Sequence, residues 1–293
     1  MSIFGTKFTL NRAICSKTKK IRPALRTRYL IYMKNWILPT LLLLYTVSTN
    51  AQDNFQLARP LLKYPSAFFT NEMSVEMAFA EPNTQIRYTL DGQEPTEDSP
   101  LYTQPVRITK RFTSVKARVF SKIYQPSDVV EATFIKDGLP IKSVENTPPN
   151  QKYKGTGAMT LIDNKGGTTN ISGNTWLGFQ TDTVEIVMHL PKKEKVKNLL
   201  VNLLRDYGSW IFLPEKIEVL AFKNNAFQLV DNKIFKQDKN VNGSACVAAV
   251  FALKNGIKTD KLKIQLYLVK QIPDWHAGKG NKSWIFIDEV KAY

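Results

Sequence analysis

Two adjacent carboxylates late in the chain, Asp288 and Glu289, raise the question of catalysis first. Paired carboxylates hydrolyse glycosidic bonds when they flank the scissile bond at roughly 5 to 9.5 Å and one of them has a raised pKa. Here the pair follows Trp284-Ile285-Phe286-Ile287, an apolar run that reads as a strand. Neighbours on a strand point to opposite faces, so the two are not expected to converge on one substrate. They read as structural residues. Zinc chemistry has little to build on, because the only histidines are His189 and His276 and no Cys or His cluster exists. No G-x-S-x-G nucleophile elbow occurs either. Cys246 lies in the apolar run Ser244 to Leu253, where a buried, inert thiol is expected.

Binding chemistry has more to draw on. Sugars stack their apolar faces on aromatic rings while amide and charged side chains read the hydroxyls, typically in loops on a rigid scaffold. Three groups have the right residue types: Trp176 with Phe179; Arg205, Asp206 and Tyr207 with Trp210; and Trp275 and His276 with Lys279, Asn281 and Lys282. The third is the most exposed candidate, since Asp274, Ala277, Gly278 and Gly280 around it are small or polar. Trp176 and Trp210, beside Leu-Gly-Phe and Ile-Phe, also fit as plugs at the end of a core. The candidate carbohydrate contacts are Trp275, His276, Lys279, Trp176, Arg205 and Tyr207.

The elements that must position these loops read as strands. Val75, Met77 and Phe79 alternate with polar residues, as do Ile86, Tyr88 and Leu90, and then Val115, Ala117 and Val119. Short strands separated by Gly, Pro and Asp turns predict a β-sandwich, with Asp91-Gly92 as a hairpin turn. Further on, Thr183 to Leu190 and Leu262 to Val269 alternate cleanly, and Ile217 to Phe222 and Trp284 to Val290 add to the strand count. Val196 to Leu204 is open on periodicity alone, because Val196, Leu199, Leu200, Leu203 and Leu204 also follow helical spacing.

The net charge of +16 is unevenly placed. Residues 1–51 carry nine basic side chains and no acids, which leaves 32 basic against 25 acidic residues in the remainder. An excess of that size reads as solvated surface, so no nucleic-acid partner is expected. Met33-Lys34, the apolar run Trp36 to Val47 and Thr49-Asn50-Ala51 together read as a signal peptide over 33–51, too short to span a bilayer. Residues 1–32 read as an unstructured upstream extension. Removal of the leader takes Cys15 with it and leaves Cys246 without an internal disulfide partner.

The stretch Ile86 to Thr96, IRYTLDGQEPT, with Ser99-Pro100-Leu101-Tyr102 and Val115-Lys116-Ala117-Arg118, resembles the small β-sandwich module at the C-terminus of bacterial chitobiases and β-N-acetylhexosaminidases, over residues 60–136. Trp176-Leu177-Gly178-Phe179, Trp210-Ile211-Phe212-Leu213-Pro214, and Pro273 to Gly280 followed by Trp284 to Glu289 resemble a discoidin-type, galactose-binding-like jelly roll over 139–293. The two modules in this order are similar to the non-catalytic C-terminal half of such hexosaminidases. The resemblance implies an all-β chain, an immunoglobulin/fibronectin-like sandwich followed by a jelly roll, in which Val196 to Leu204 is a strand. It implies no catalytic barrel, and with Asp163 and Glu289 matching the family's ligands it implies one structural Ca²⁺. Asn164-Lys165 departs from the family pattern, which has Gly directly after the Asp.

The expectation is a secreted, non-catalytic protein of the periplasm, cell surface or medium that binds or scaffolds glycans or glycoconjugates, with no stable membrane span. Two alternatives are a detached accessory subunit of a separately encoded β-N-acetylhexosaminidase-type glycosidase and a protein-binding surface adhesin.

Overall fold

The computed structural model describes residues 55–241 and 243–293. The 33–51 leader and the 1–32 extension lie outside the described residues. Residues Asn54–Tyr293 form one compact unit. No helix among the described residues is long and apolar enough to cross a membrane.

The N-terminal part is a sandwich of two small sheets. Strands β1 (Leu61–Lys63), β3 (Met73–Ala78) and β5 (Val106–Ile108) form one sheet in the order β1-β3-β5. Strands β2 (Phe68–Phe69), β4 (Thr84–Thr89), β6 (Phe112–Ser121) and β7 (Val130–Lys136) form the other in the order β2-β7-β6-β4, with β2 parallel to β7. The alternation read from the sequence puts Val75, Met77, Val115 and Ala117 into the core between them, with Ile108 and Phe134. One expectation needs correction. Gly92 does take the positive φ (81°) that a turn demands, but Asp91-Gly92 does not join two paired strands directly. It opens a longer loop, and the chain returns beside β4 through hydrogen bonds from Tyr88 N to Pro100 O and from Tyr102 N to Ile86 O.

The C-terminal part is built on two strands of 23 residues, β10 (Thr183–Arg205) and β13 (Ala245–Tyr267), paired antiparallel along their length. Register breaks fall between His189 and Glu194 and between Val196 and Asn198. Before the breaks in β10, the ribbon is flanked by β8 (Ser143–Asn146) on one side and by β11 (Lys216–Lys223) and β12 (Ala226–Ile234) on the other. After them it is flanked by β14 (Ile285–Ala292), which pairs in turn with β9 (Leu177–Phe179). Both halves share one core. Val184, Ile186 and Met188 reach it from the first half of β10, and Leu199, Val201 and Leu203 from the second.

The ambiguous segment Val196 to Leu204 is therefore strand, and its helix-like spacing has a physical cause. Leu199 and Leu203 face the main core, Leu200 packs with Phe68, Ile135 and Tyr293, and Leu204 packs with Trp176, Ile211 and Phe286. A strand buried on both faces loses its period-two signature.

Phe68 and Ile135 belong to the first sandwich, whereas Leu200 and Tyr293 belong to the second, so that cluster is the junction between them. The backbone approach is close. Ala67 N donates to Gly166 O (3.0 Å) and Leu139 N to Ala292 O (2.7 Å). Gly167 sits at φ +67° with Ala67 where a Cβ would lie, so only glycine fits there.

Candidate functional site

Tyr207, Trp275 and His276 come from segments nearly 70 residues apart and meet at one cavity of about 360 Å³. Asp206, Gly208, Lys239, Val241, Gly243 and Ala277 complete its lining. That volume lies at the small end of the usual range for ligand pockets, about 300 to 1,000 Å³.

Each wall has a local reason for its place. Strand β10 ends at Arg205, and Asp206 N and Ile211 O close the chain into a tight loop holding the 3-10 turn Tyr207–Ser209. Ser209 Oγ donates to Asp206 Oδ2 (2.7 Å). Trp210 then takes a left-handed backbone (φ 63°), unusual for a bulky residue. Gly278 lies flat against its indole, where a Cβ would come within 2.8 Å of the ring.

His276 pins the two loops together. Gly278 N donates to Nδ1 (3.0 Å), so the ring proton belongs on Nε2, which donates to the Tyr207 carbonyl (2.9 Å). Both ring nitrogens are thus used inside the protein, and His276 positions the site rather than reading a ligand. Trp275 stays 39% exposed, edge-on to Tyr207 with ring centroids 5.2 Å apart, while Tyr207 rests on the buried Phe212 at 4.8 Å. The result is an aromatic wall that is held from behind and open in front.

The other sequence candidates fall elsewhere. Trp176 is 1% exposed among Leu204, Ile211 and Phe286, and its Nε1 donates to Thr168 O (3.2 Å). It touches a second cavity of about 330 Å³ with Tyr153 and Asn174, but a buried indole whose N–H is already paired offers no face for stacking. Trp176 is a core residue. Arg205 is half-buried, with its guanidinium 6.0 Å from the Tyr207 ring, behind the cavity rather than in its lining. Lys279 is exposed on the same loop as Trp275 but does not line the cavity. Asp206, Lys239 and Gly243 line the site and were not among the candidate contacts. The polar run Gln237-Asp238-Lys239-Asn240 before Gly243 is the signal that could have marked that loop.

Asp288 and Glu289 are fully buried. They do not point to opposite faces as alternation predicts, because Asn202 pairs with Glu289 and Leu203 with Ile287, leaving Asp288 as the extra residue of a β-bulge. Asp288 accepts from Asn202 Nδ2 (2.8 Å) and Gly167 N (2.7 Å), and burial pushes its carboxyl up to about 7 despite those bonds. Burial likewise pushes Glu289 up to about 9, against the opposing charge and hydrogen bond of Lys291. Glu289 Oε2 is buried without a partner. Raised carboxyls sealed inside a sheet have no access to a glycosidic bond. Cys246 is pushed up to about 12, first by burial and then by the charge of Asp288.

The implied Ca²⁺ fits these residues poorly. Lys291 Nζ donates to Glu289 Oε1 (3.0 Å) and to Asn164 Oδ1 (2.5 Å), so an ammonium occupies the space between the matching glutamate and the matching loop. Asp163 Oδ1 turns back to accept from Lys165 N (2.9 Å). Burial raises the pKa of Asp163, and this outweighs the Lys165 contacts that lower it. A calcium ion asks for six to eight oxygens at roughly 2.3 to 2.6 Å. Among the described residues no group of three or more His, Cys, Asp or Glu is arranged to hold a metal.

Residues 64–131 match the family model of the chitobiase/beta-hexosaminidase C-terminal domain, inside the 60–136 block. Comparison with curated proteins finds no match. A solved structure described as GH31 CBM32-2 bound to GalNAc aligns over 53% of this chain and 98% of its own, at 13% identity and a TM-score of 0.35. The family 32 carbohydrate-binding module from C. perfringens NanJ, in complex with galactose, aligns over 51% and 91% at 16% identity and a TM-score of 0.35. The CBM32 of AlyQ, in complex with 4,5-unsaturated mannuronic acid, aligns over 53% and 96% at 12% identity and a TM-score of 0.34. The all-β class of this chain rests on its own strands.

Proposed function

We propose that the protein is a non-catalytic carbohydrate-binding protein whose sugar contact is the Tyr207–Trp275 cavity. One observation carries this reading: an exposed indole braced edge-on by Tyr207 and held by the His276 pin, with Asp206 and Lys239 at the same cavity. Ring stacking on Trp275 supplies the apolar contact, and the carboxylate and ammonium supply hydroxyl partners. The 33–51 leader supports a location outside the cytoplasm.

A glycan-array screen of the full chain beside Trp275→Ala tests the reading. Binding on the order of 0.1 to 1 mM is expected for so shallow a site, weakened about tenfold or more in the variant, a change of ~1.4 kcal/mol. Equal binding by both proteins, or no bound glycan, overturns it. The family match over 64–131 favours a second reading, an accessory subunit that docks on a separate glycosidase. In that case a β-N-acetylhexosaminidase catalytic barrel, rather than a glycan, protects Trp275 from oxidation.

A further inference from the structure

Lys291 lies on β14 with its side chain 4% exposed. Its ammonium has three protons, and three oxygens receive them: Asp137 Oδ1 at 2.8 Å, Asn164 Oδ1 at 2.5 Å and Glu289 Oε1 at 3.0 Å. The Phe68 ring lies 5.3 Å from the same nitrogen, close enough for a cation–π contact. These partners come from both sandwiches. Asp137 directly follows β7, and its Oδ2 also accepts from Thr70 Oγ1 (3.1 Å) and Asn164 Nδ2 (2.7 Å). Asn164 belongs to the loop before β9, and its carbonyl accepts from Ser66 Oγ (2.9 Å) in the first sandwich. Every donor of the ammonium is used: two bonds end on segments outside β14, at Asp137 and Asn164, and the third on Glu289 of the same strand.

We propose that the Lys291 ammonium is a built-in cation: it takes the place of the structural Ca²⁺ that the family resemblance implies and ties the two sandwiches into one calcium-independent body. A divalent ion bound by one domain would order only that domain's own loop. The lysine orders the loop through Asn164 and at the same time reaches Asp137 across the junction. Its anchor on β14 is covalent, so the cation cannot be lost to dilution or chelation.

Thermal melting of the full chain tests this directly. With EDTA, and again with about 5 mM CaCl₂, above the roughly 0.1 to 1 mM range of extracellular calcium modules, the Tm is expected to stay unchanged. Terbium luminescence sensitised by tryptophan is expected to be absent. Lys291→Met keeps the length of the stem and removes the charge; its Tm is expected to fall by about 6 °C or more, the effect of stranding buried partners. Should that variant fail to fold, Asp137→Asn removes the partner charge at a half-buried position just after β7 and must still lower the Tm. A wild-type Tm raised by Ca²⁺ or lowered by EDTA overturns the proposal, as does a Lys291→Met or Asp137→Asn protein that melts with the wild type.

Discussion

His276 and Lys279 sit three positions apart in one loop, yet the fold gives them different work. The imidazole spends both nitrogens holding the Tyr207 turn and the Gly278 backbone, while the Lys279 side chain is exposed beside the cavity. Two lost hydrogen bonds at about 0.5 to 1.5 kcal/mol each, taken up in re-ordering the loop, correspond to roughly five- to 150-fold in affinity. Titration of the best array glycan should therefore show His276→Ala weakened within that range and Lys279→Ala close to wild type. Comparable losses in both would mean that the loop, and not the pin, makes the contact. Trp275 was legible in the sequence because small and polar neighbours cannot bury an indole. Trp176, which also fits as a core plug in the sequence, is buried for the opposite reason: Leu177-Gly178-Phe179 beside it is β9, whose residues are all buried, and Gly178 lets the Tyr153 and Phe286 side chains close over the strand. Lys239 was illegible, since nothing in a polar loop tells which distant turn it will face.

Strand β14 shows what one extra residue does to a pattern. Ile285 and Ile287 face the main core before the bulge, and Val290 and Ala292 after it, so the inward parity switches at Asp288. Strict alternation, the rule that separated Asp288 from Glu289 in the sequence, fails at a bulge that only pairing with β10 defines. The fold class and most strand positions were legible because they depend on local alternation. The two-faced burial of β10 and the bulge of β14 were not, because they depend on distant partners, the β10–β14 pairs lying 82 to 93 residues apart. The bulge also sets a pH dependence. Glu289 loses its proton near 4.5 in the unfolded chain and near 9 when folded, and Asp288 near 3.8 and near 7. The folded state therefore holds more protons, and stability falls as pH rises from about 4.5 to 9. Asp137 works in the other direction. Burial alone would raise it, but the Lys291 hydrogen bond and charge, with Asn164 and Thr70, hold it below the usual carboxylate range. Its contribution is present above the ordinary carboxylate pKa and disappears only in stronger acid. Melting curves across pH 5 to 9 should show a steady decline in Tm, and Glu289→Gln should flatten the part above about pH 8, where Asp288 is mostly ionised in the folded state as well. A wild-type Tm that climbs over that interval would contradict the burial of this pair.

The two sandwiches meet through side chains that neither could bury alone. Phe68 and Ile135 are 2% and 1% exposed only because Leu200 and Tyr293 cover them, and Tyr293 Oη donates to Lys136 O (2.8 Å). Phe112 packs 5.6 Å from the Tyr293 ring, and Arg111 lies 4.9 Å above it. With the polar bonds of Lys291 and the backbone contact of Ala67 on Gly166, the junction has a core of its own rather than the wet, polar contact of a flexible linker. Cooperativity follows from this: opening one sandwich exposes the apolar face of the other, so calorimetry of the wild type should show a single transition. Phe68→Ala removes the ring at the centre of the cluster and the cation–π partner of Lys291. A loss of about 3 to 5 kcal/mol is expected for truncating a buried phenylalanine, or roughly 6 to 20 °C in a unit of this size. Because the loss falls on the junction, the variant should also split into two transitions, with the smaller sandwich melting first. Two transitions already present in the wild type would show that the sandwiches fold independently, and a sugar site on the second would then gain nothing in rigidity from the first.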